Sequence, residues 1–474
     1  MNIYTNNYAN KPASAGDHWA RLFNAQRLGS DKLPAMLDSA RTSFHKDYDR
    51  LVFSHSFRQL NQKTQVHPLT NQLGIHTRLT HSLEVSCIGR SLGMMAAEKL
   101  HDKLPNGLPA GVTPADVGVI VQAACLAHDI GNPPFGHAGE YAIRDWFLHP
   151  ERQTILPHLT PNERLDVLAY EGNAQGFRLL TRNEHHPDAG GMRLTCATLG
   201  AFMKYPWLAT HSNTVASDNL RTGNVQKFGC FYSEATQLEQ LADCLQLPRS
   251  KQHDGFARHP LAYLLEAADD ICYALIDLED GIHLGMLSYP DVAAIFYQLI
   301  GESPATLVLP PQVSVRQQLA SLRARAMMRL VNTVTDAFVA NSDTMLAGTL
   351  EGSLFAHCEP TVKSGINQAK QLAREQIFNH PSKVRMELMA NQCLHRLLDA
   401  FMPLAWTALA SSPKPFEQQR LLSLLQPHLE EHRRQLSDNI YHNILNILDF
   451  ITGMNDHEAY RLAQELQGHW GTII

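Results

Sequence analysis

The chain lacks the features of a membrane or secreted protein. None of its 474 residues lie in a run approaching the ~18 apolar residues that a membrane-spanning helix requires. The first residues, MNIYTNNYANKPASAGDHW, are polar and contain no apolar signal-peptide core. Eight cysteines occur without a CxxC pair or a regular spacing, which is typical of reduced residues in a helical core. We therefore expect a soluble, cytoplasmic protein with no membrane partner.

An excess of positive charge and the common hydrolase motifs are also missing. The 40 Lys and Arg residues are outnumbered by 46 Asp and Glu residues, so the net charge is −6. A cationic nucleic-acid-binding protein is therefore not indicated, and an anionic substrate would need local cations or a metal ion. GxxxxGK[ST] and HExxH are absent, and the one GxSxG match, residues 89–93, lies inside a predicted helix and not in a nucleophile elbow, so three frequent hydrolase designs are not indicated. The 25 histidines, in contrast, point to metal chemistry.

Helical periodicity dominates the chain, whereas sustained alternation with a period of two is scarce, so we predict an all-α fold. Amphipathic helices are expected over 79–100, 115–130, 261–280, 366–379, 385–410, 417–436 and 439–451. Four prolines make residues 285–313 the best candidate for a loop-rich connection. The predicted organisation is an N-terminal segment that serves subunit contacts, a catalytic helical core, this connection and a helical C-terminal part, at 1–48, 49–284, 285–313 and 314–474.

Two histidines and two aspartates in or next to predicted helices suggest a metal centre. His81 opens a predicted helix, His128 and Asp129 adjoin at the end of the next one, and Asp269 lies within the 261–280 helix. Two imidazoles and two carboxylates form a mixed nitrogen and oxygen site. Such a site suits Mn²⁺, Fe²⁺, Co²⁺ or Zn²⁺, and Mg²⁺ could join at substrate phosphates.

The 261–280 helix carries polar residues beside its buried stripe. Asp269, Tyr273, Asp277 and Asp280 recur at steps of three or four, so they share a face next to the apolar positions. We interpret this face as one wall of a polar cleft. The other adjoining pairs lie in polar, loop-like segments and are expected at the surface: His185-His186 and His253-Asp254.

His81, then His128-Asp129, then Asp269 in a helix is an order that resembles the HD superfamily. Longer segments around these residues resemble the deoxyguanosine triphosphate triphosphohydrolases of that superfamily. The segments span residues 49–280 and read DRLVFSHSFRQLNQKTQVHPL, TRLTHSLEV, HDIGNPPFGHAGE, YEGNAQGFRLL and EAADDICYALIDLED. HDIGNPPFGHAGE and EAADDICYALIDLED are the most specific of these. The last 160 or so residues resemble the family only loosely, through helical character and the segment around Val384–Phe401.

The resemblance implies a set of metal ligands and a catalytic pair. The implied ligands are His81, His128, Asp129 and Asp269, with Asp270 expected as a neighbouring or surface group. The divalent ion is expected to be Mn²⁺ or Mg²⁺, with Fe²⁺, Co²⁺, Zn²⁺ and Ni²⁺ as further candidates. The catalytic pair is His137 with Glu140, whose i, i+3 spacing allows the carboxylate to orient the imidazole.

The resemblance also implies contacts to substrate. Arg78, Asn173, Lys204 and Tyr205 match residues that meet a phosphate tail. Tyr273 would pack against C2′ of a deoxyribose and leave no room for a ribose hydroxyl. At the 3′-hydroxyl we expect Asp277, together with either Gln59 or Gln65.

The function implied is hydrolysis of dGTP to deoxyguanosine and inorganic triphosphate, by attack of water on the α-phosphorus. His137 either activates the water or protonates the departing 5′-oxygen. The alternatives are a broader dNTP triphosphohydrolase, another HD nucleotide phosphohydrolase, and a protein that senses nucleotides or single-stranded nucleic acid without turnover. The family further implies a homo-oligomer, commonly a hexamer, and single-stranded DNA as an effector.

Overall fold

The computed structural model describes residues 15–29, 41–63, 76–152, 155–183, 191–209, 226–307, 313–407, 414–431 and 434–469. This part of the chain is helical, and its strand pairing is limited to isolated bridges, so the all-α prediction is confirmed. The α-helices are α1 Ala15–Leu22, α2 Ser43–Phe53, α3 His55–Arg58, α4 Arg78–Lys103, α5 Pro114–Ala127, α6 His137–Leu148, α7 Pro161–Leu168, α8 Gly172–Arg178, α9 Cys196–Phe202, α10 Ala235–Leu245, α11 Pro260–His283, α12 Tyr289–Ile300, α13 Val315–Ala340, α14 Ser342–Leu346, α15 Pro360–Leu372, α16 Pro381–Phe401, α17 Leu404–Thr407, α18 Phe416–Glu431, α19 Ile440–Gly453 and α20 Asp456–Glu465.

The three helices that carry the predicted metal ligands begin at well-defined caps. Thr77 caps α4 in a capping box with Thr80, and Thr113 caps α5 in the same way with Asp116. His259 caps α11, since its side chain accepts an N–H from the first turn. These local bonds set where each helix starts and therefore where its later residues point.

Each predicted helical stretch overlaps a helix, although the boundaries differ. The stretch predicted at 366–379 corresponds to α15 followed by a π-helical turn, Ala373–Phe378. The stretch predicted at 385–410 is interrupted after Phe401 and resumes as the short α17. Pro403 lies in the break, and a proline cannot donate the backbone hydrogen bond that would continue the helix.

Residues 285–313 are less loop-rich than we expected, because they contain α12. Ser288 caps this helix, and Pro290 lies in its first turn, where a proline starts a helix instead of breaking it. Gly301 ends it with a φ of 78°. The helix buries a stripe of apolar residues: Val292, Ile295, Phe296 and Leu299.

Buried apolar side chains form two clusters, which we call the first and the second cluster. The first draws on α4, α5, α9 and α11 and continues into α12, α13 and α15. The second draws on α6 and α7 together with the C-terminal helices α16 to α20. Packing therefore joins the C-terminal helices to α6, which lies within the predicted core. The division into a core at 49–284 and a C-terminal part at 314–474 stays a prediction.

Two sequence expectations can be examined in the same framework. No helix in the described ranges is long and apolar enough to cross a membrane. All eight cysteines are free, and five of them are buried: Cys125, Cys196, Cys230, Cys272 and Cys393.

Candidate metal and substrate site

Three of the four predicted metal ligands meet where α4, α5 and α11 come together. The Nε2 atom of His81 lies 3.2 Å from Oδ1 of Asp269, and Nε2 of His128 lies 3.5 Å from the same oxygen. All three offer a ligand atom within 4.8 Å of one another. The Nδ1 of His128 lies 2.7 Å from the carbonyl oxygen of Cys125, so Nδ1–H donates to it and Nε2 keeps its lone pair. The cluster is suited to a divalent ion of intermediate hardness.

The fourth predicted ligand, Asp129, lies beside the cluster and is held by other groups. Its Oδ1 accepts a hydrogen bond from Arg78 at 2.8 Å and one from Asn132 at 2.6 Å, and it lies 3.7 Å from Nε2 of His128. Its Oδ2 is buried and has no hydrogen-bond partner among the described residues. A buried carboxylate oxygen without a partner is costly unless a ligand satisfies it. The donor set therefore fits a metal ion held by both imidazoles and both carboxylates.

Electrostatics keep the two carboxylates ionised. Burial opposes ionisation of Asp269, but Lys204, with its Nζ 2.7 Å from Oδ2, and the two imidazoles hold the pKa of this carboxyl well below its usual range. Burial also opposes ionisation of Asp129, and Arg78 outweighs it and lowers the pKa. Burial lowers the pKa of His128, which favours the neutral form that binds metals. For His81, burial opposes the charged form, but Asp269 outweighs it and raises the pKa.

The predicted catalytic pair lies at the start of α6. Nδ1 of His137 donates to Oε2 of Glu140 at 3.0 Å, and Oε1 of Glu140 accepts the backbone N–H of Gly172 at 2.8 Å. The Glu140 side chain is 5% exposed and that of His137 is 59% exposed. Burial opposes ionisation of Glu140, but the hydrogen bond from His137 outweighs it and lowers the pKa. The buried Glu140 carboxylate therefore orients the accessible imidazole of His137.

Most of the proposed metal ligands and the catalytic pair line one cavity of about 240 Å³. Ten predicted site residues border it: Arg78, His128, Asp129, His137, Glu140, Asn173, Lys204, Tyr205, Asp269 and Tyr273. Glu266 and Asp270 also border it but are paired with Arg258 and Lys370, at 3.0 and 2.8 Å. The pairing of Asp270 with Lys370 agrees with the neighbouring role we expected for it.

Three predicted residues that the structure describes do not border this cavity. His81 lies behind it, with its ring 5.5 Å from that of Tyr273. Asp277 is buried, which raises its pKa to about 7, and its Oδ2 has no hydrogen-bond partner in the described ranges. Gln59 instead bonds His55 at 2.9 Å, because both lie on one short helical segment. Gln65 lies outside the described residues.

The remaining histidine pairs can be placed only in part. His253 is not simply solvated, as we had expected, since its ring stacks on Trp207 with 3.9 Å between centroids. The indole provides an apolar face that a polar-looking sequence context did not reveal. His185-His186 lies outside the described residues.

Among the cavity-wall residues that sequence reasoning missed, Lys227 and Asn132 bear most directly on the predicted groups. Lys227 faces the carboxylates of Glu171 and Glu140, which raise its pKa although burial opposes them. Asn132 borders the cavity and donates to Asp129. Lys227 belongs to no motif, so no local signal could have identified it. Asn132 is part of HDIGNPPFGHAGE, and its position three residues after Asp129 was a usable signal.

Comparison with known proteins defines the class first. Residues 78–163 match the family model of the HD domain, and this stretch contains His81, His128 and Asp129. Three relatives extend the similarity over most of the chain. A deoxyguanosinetriphosphate triphosphohydrolase-like protein of Pseudomonas aeruginosa is 44% identical over 95% of this chain and 98% of its own length.

A like-named protein of Synechocystis sp. is 39% identical over 95% of this chain and 99% of its own length. A deoxyguanosinetriphosphate triphosphohydrolase of Cronobacter sakazakii is 30% identical over 88% of this chain and 92% of its own length. The chain therefore belongs to the deoxyguanosine triphosphate triphosphohydrolase family, whose members are HD-domain nucleotide triphosphohydrolases.

Proposed function

We propose that this protein hydrolyses dGTP to deoxyguanosine and inorganic triphosphate in a metal-dependent reaction. The observation that carries the proposal is that His128 and Asp269 of the His–Asp cluster border the same cavity as the His137–Glu140 pair, together with three cations. A cluster of metal-ligand type, a general acid or base and cations for phosphate are the parts that phosphoryl hydrolysis requires.

The divalent ion would be held by His81, His128, Asp129 and Asp269. Once bound, it would polarise a phosphoryl oxygen and lower the pKa of a coordinated water. Mn²⁺ and Mg²⁺ are our first candidates, and Fe²⁺, Co²⁺, Zn²⁺ and Ni²⁺ remain alternatives, because the donor set accommodates ions of intermediate hardness.

The triphosphate would be bound by the cations of the cavity wall. Arg78, Lys204 and Lys227 border the cavity, and Nε of Arg78 is buried without a hydrogen-bond partner in the described structure. Guanidinium and ammonium groups form strong charge-assisted hydrogen bonds to phosphate oxygens. Asn173 and Tyr205 would add neutral donors. These three cations border the cavity together with the carboxylates of Asp129, Glu140 and Asp269, and a bound divalent ion would add two positive charges to this set.

His137 would act on the proton transfers. Its Nδ1–H is engaged by Glu140, so Nε2 is the nitrogen left to face substrate or water. In the reaction, the water oxygen bonds to the α-phosphorus and the bond from that phosphorus to the 5′-oxygen breaks. The water loses a proton, and the 5′-oxygen gains one to give the free nucleoside. His137 serves either as the base for the first transfer or as the acid for the second.

The sugar would be recognised at α11. Tyr273 borders the cavity beside His81, where its ring can exclude a 2′-hydroxyl. Asp277 lies one helical turn further on and would accept the 3′-hydroxyl. A buried polar group that is left unpaired by the wrong substrate can give roughly 10⁴-fold discrimination. The contribution of Gln65 stays a prediction, and Gln59 is a weaker candidate because its side chain already bonds His55.

The test is a substrate panel with product analysis. Purified protein is incubated with each dNTP and with GTP, with Mn²⁺, with Mg²⁺ or with a chelator, and the phosphate product is identified. We expect inorganic triphosphate from dGTP, no turnover with chelator and no product from GTP. Equal turnover of all dNTPs would indicate the broader enzyme, and pyrophosphate or orthophosphate would indicate another HD phosphohydrolase.

Binding of nucleotide without any product would indicate a sensor and overturn the proposal. The homo-oligomer, the single-stranded DNA effector and the cytoplasmic location implied by the family stay predictions.

A further inference from the structure

The loop that joins the His–Asp cluster (His81, His128 and Asp269) to the catalytic pair has an unusual backbone conformation. It runs from Gly131 to Gly136, beginning two residues after Asp129 and ending directly before His137. Phe135 has a φ of 64°, in the left-handed region that non-glycine residues seldom adopt, and Gly136 follows with a φ of 60°. Such a conformation persists only where surrounding contacts hold it.

One of those contacts comes from the far end of the chain. The backbone N–H of Phe135 donates to a carboxylate oxygen of Asp456 at 2.8 Å, although 321 residues separate the two. Asp456 is the first residue of α20, is fully buried, and lies outside the HD-domain match at residues 78–163. The Asp456 carboxylate, which belongs to α20, therefore satisfies the backbone N–H of Phe135.

A second contact holds the other end of the same loop. Nζ of Lys63 donates to the carbonyl oxygens of Asn132 at 2.9 Å and Thr452 at 2.7 Å. The Lys63 residue is 3% exposed. The loop is thus tied at both ends to the C-terminal helices, once through Lys63 and once directly by Asp456.

The path of this loop determines where the reacting groups stand. A Cβ atom on Gly136 would lie 2.3 Å from Nη2 of Arg78, so the guanidinium packs directly on this backbone. His137 is two residues after Phe135 and begins α6, which packs in the second cluster, whereas Asp129 follows α5 of the first cluster. A change in the turn at Phe135 would therefore move the imidazole relative to the His–Asp cluster.

We propose that Asp456 is a positioning residue: it fixes the turn at Phe135 and thereby the position of His137 relative to the His–Asp cluster. This inference rests on the proposed function for its kinetic consequence. The structural part, a carboxylate that holds the turn, stands separately. Asp456 does not border the cavity, so we expect its effect on turnover to pass through the turn at Phe135 and His137.

The kinetic test is a double-mutant cycle with His137. Asp456→Ala removes the acceptor, Asp456→Asn keeps a carbonyl oxygen in its place, and Asp456→Glu moves the acceptor by one methylene. Each is measured in the wild-type and in the His137→Ala background for kcat, KM, metal content and melting temperature. Because a misplacement of about 1 Å can cost up to 10²-fold, we expect Asp456→Ala to lower kcat by about 10- to 100-fold.

Metal content and KM should change little, Asp456→Asn should stay close to wild type, and Asp456→Glu should fall between. In the His137→Ala background, Asp456→Ala should cost less than about threefold, because the group it positions is gone. Equal losses in both backgrounds, or a loss confined to KM or metal content, would overturn the proposal. Should Asp456→Ala not fold, Asp456→Glu supplies the same comparison.

Amide hydrogen exchange over residues 131–137 gives a readout independent of activity. The Phe135 amide should exchange faster in Asp456→Ala than in wild type, and Asp456→Asn should keep it protected. An unchanged exchange rate would overturn the positioning role. A wild-type protein that hydrolyses no dNTP but shows the expected exchange would instead count against the proposed function, so the two failures can be told apart.

Discussion

The two sides of the cavity are built differently. The metal side rests on α4, α5 and α11, which belong to the first cluster and begin at local caps. The catalytic side rests on α6, which packs in the second cluster against helices from the end of the chain. Trp146 of α6 donates to Asp399 at 2.8 Å, and His395 lies 3.1 Å from the carbonyl oxygen of Ala142, both across 253 residues of sequence.

The difference concerns where the supporting contacts come from. On the metal side, short motifs and caps place His81 on α4, Asp269 on α11, and His128 with Asp129 directly after α5. On the catalytic side, His137 and Glu140 are neighbours in sequence, but the helix that carries them depends on distant partners. Mutations that act on one side should therefore leave the other side measurable, and the three predictions below use this separation.

The largest effect is expected from Asp129→Ala on the metal side. This change removes a charged metal ligand, and loss of the ion's contribution should cost several kcal/mol of transition-state stabilisation. We expect activity to fall to background and metal content to fall with it, measured by turnover of dGTP and elemental analysis. Because Arg78 also loses its acceptor, the melting temperature should fall somewhat.

Two variants control for this prediction. Asp129→Asn keeps an acceptor oxygen for Arg78, so it should melt closer to wild type while still binding less metal. Asp270→Ala removes the adjacent carboxylate, which pairs with Lys370, and should retain the metal. Full metal occupancy and activity in Asp129→Ala would remove Asp129 from the ligand set.

The next effect is expected from His137→Ala on the catalytic side. The four proposed ligands are untouched, so metal content and KM should survive. Loss of a general acid or base typically lowers the rate by 10²–10⁴-fold, and the loss should appear in kcat. Steady-state kinetics at saturating metal measure this directly.

Glu140→Gln is the matched partner of this change. It should cause a smaller loss, since the carboxylate only orients and polarises the imidazole, and the double variant should be far from additive. An unchanged kcat in His137→Ala would confine the chemistry to the metal side and leave the pair with a structural role.

The smallest effect concerns stability where α8 meets the C-terminal helices. Arg178 binds Asp449 at 2.9 Å and Glu234 at 2.7 Å, and all three are buried. Burial opposes ionisation of Asp449, but Arg178 and Arg434 outweigh it and lower the pKa. Breaking a buried pair costs roughly 3–5 kcal/mol, so Asp449→Asn should lower the free energy of unfolding by about 3 kcal/mol at neutral pH.

The pH dependence follows from the lowered pKa. An unfolded Asp titrates near pH ~3.9, so the folded carboxylate contributes its full stability above that value and loses it as the pH falls through the lower folded pKa. The stability difference between wild type and Asp449→Asn should therefore be constant near neutrality and shrink below about pH 4. Asp336→Asn, which removes an exposed partner of Lys99, should cost less than about 1 kcal/mol. A loss as large as that of Asp449→Asn would contradict the ranking.

Much of the fold was predictable because the signals are local. Helical periodicity, caps and prolines act over a few residues, so the helices appear where apolar positions recur. The exceptions have local reasons too, such as Pro290 in the first turn of α12, which we had counted as a sign of a loop. What periodicity could not predict is the grouping of helices into two clusters, since an apolar stripe does not specify its partner.

The candidate site divides in the same way. The sequence alone determined the helices that carry His81, His128 and Asp269 and the i, i+3 pairing of His137 with Glu140, because each depends on spacing along one segment. Only the tertiary structure decided that Arg78 holds Asp129 across 51 residues, that Lys204 holds Asp269 across 65, and that Asp456 reaches Phe135 across 321. These bonds depend on how the helices pack. A hydrogen bond between residues far apart in sequence produces no periodic pattern from which it could be predicted.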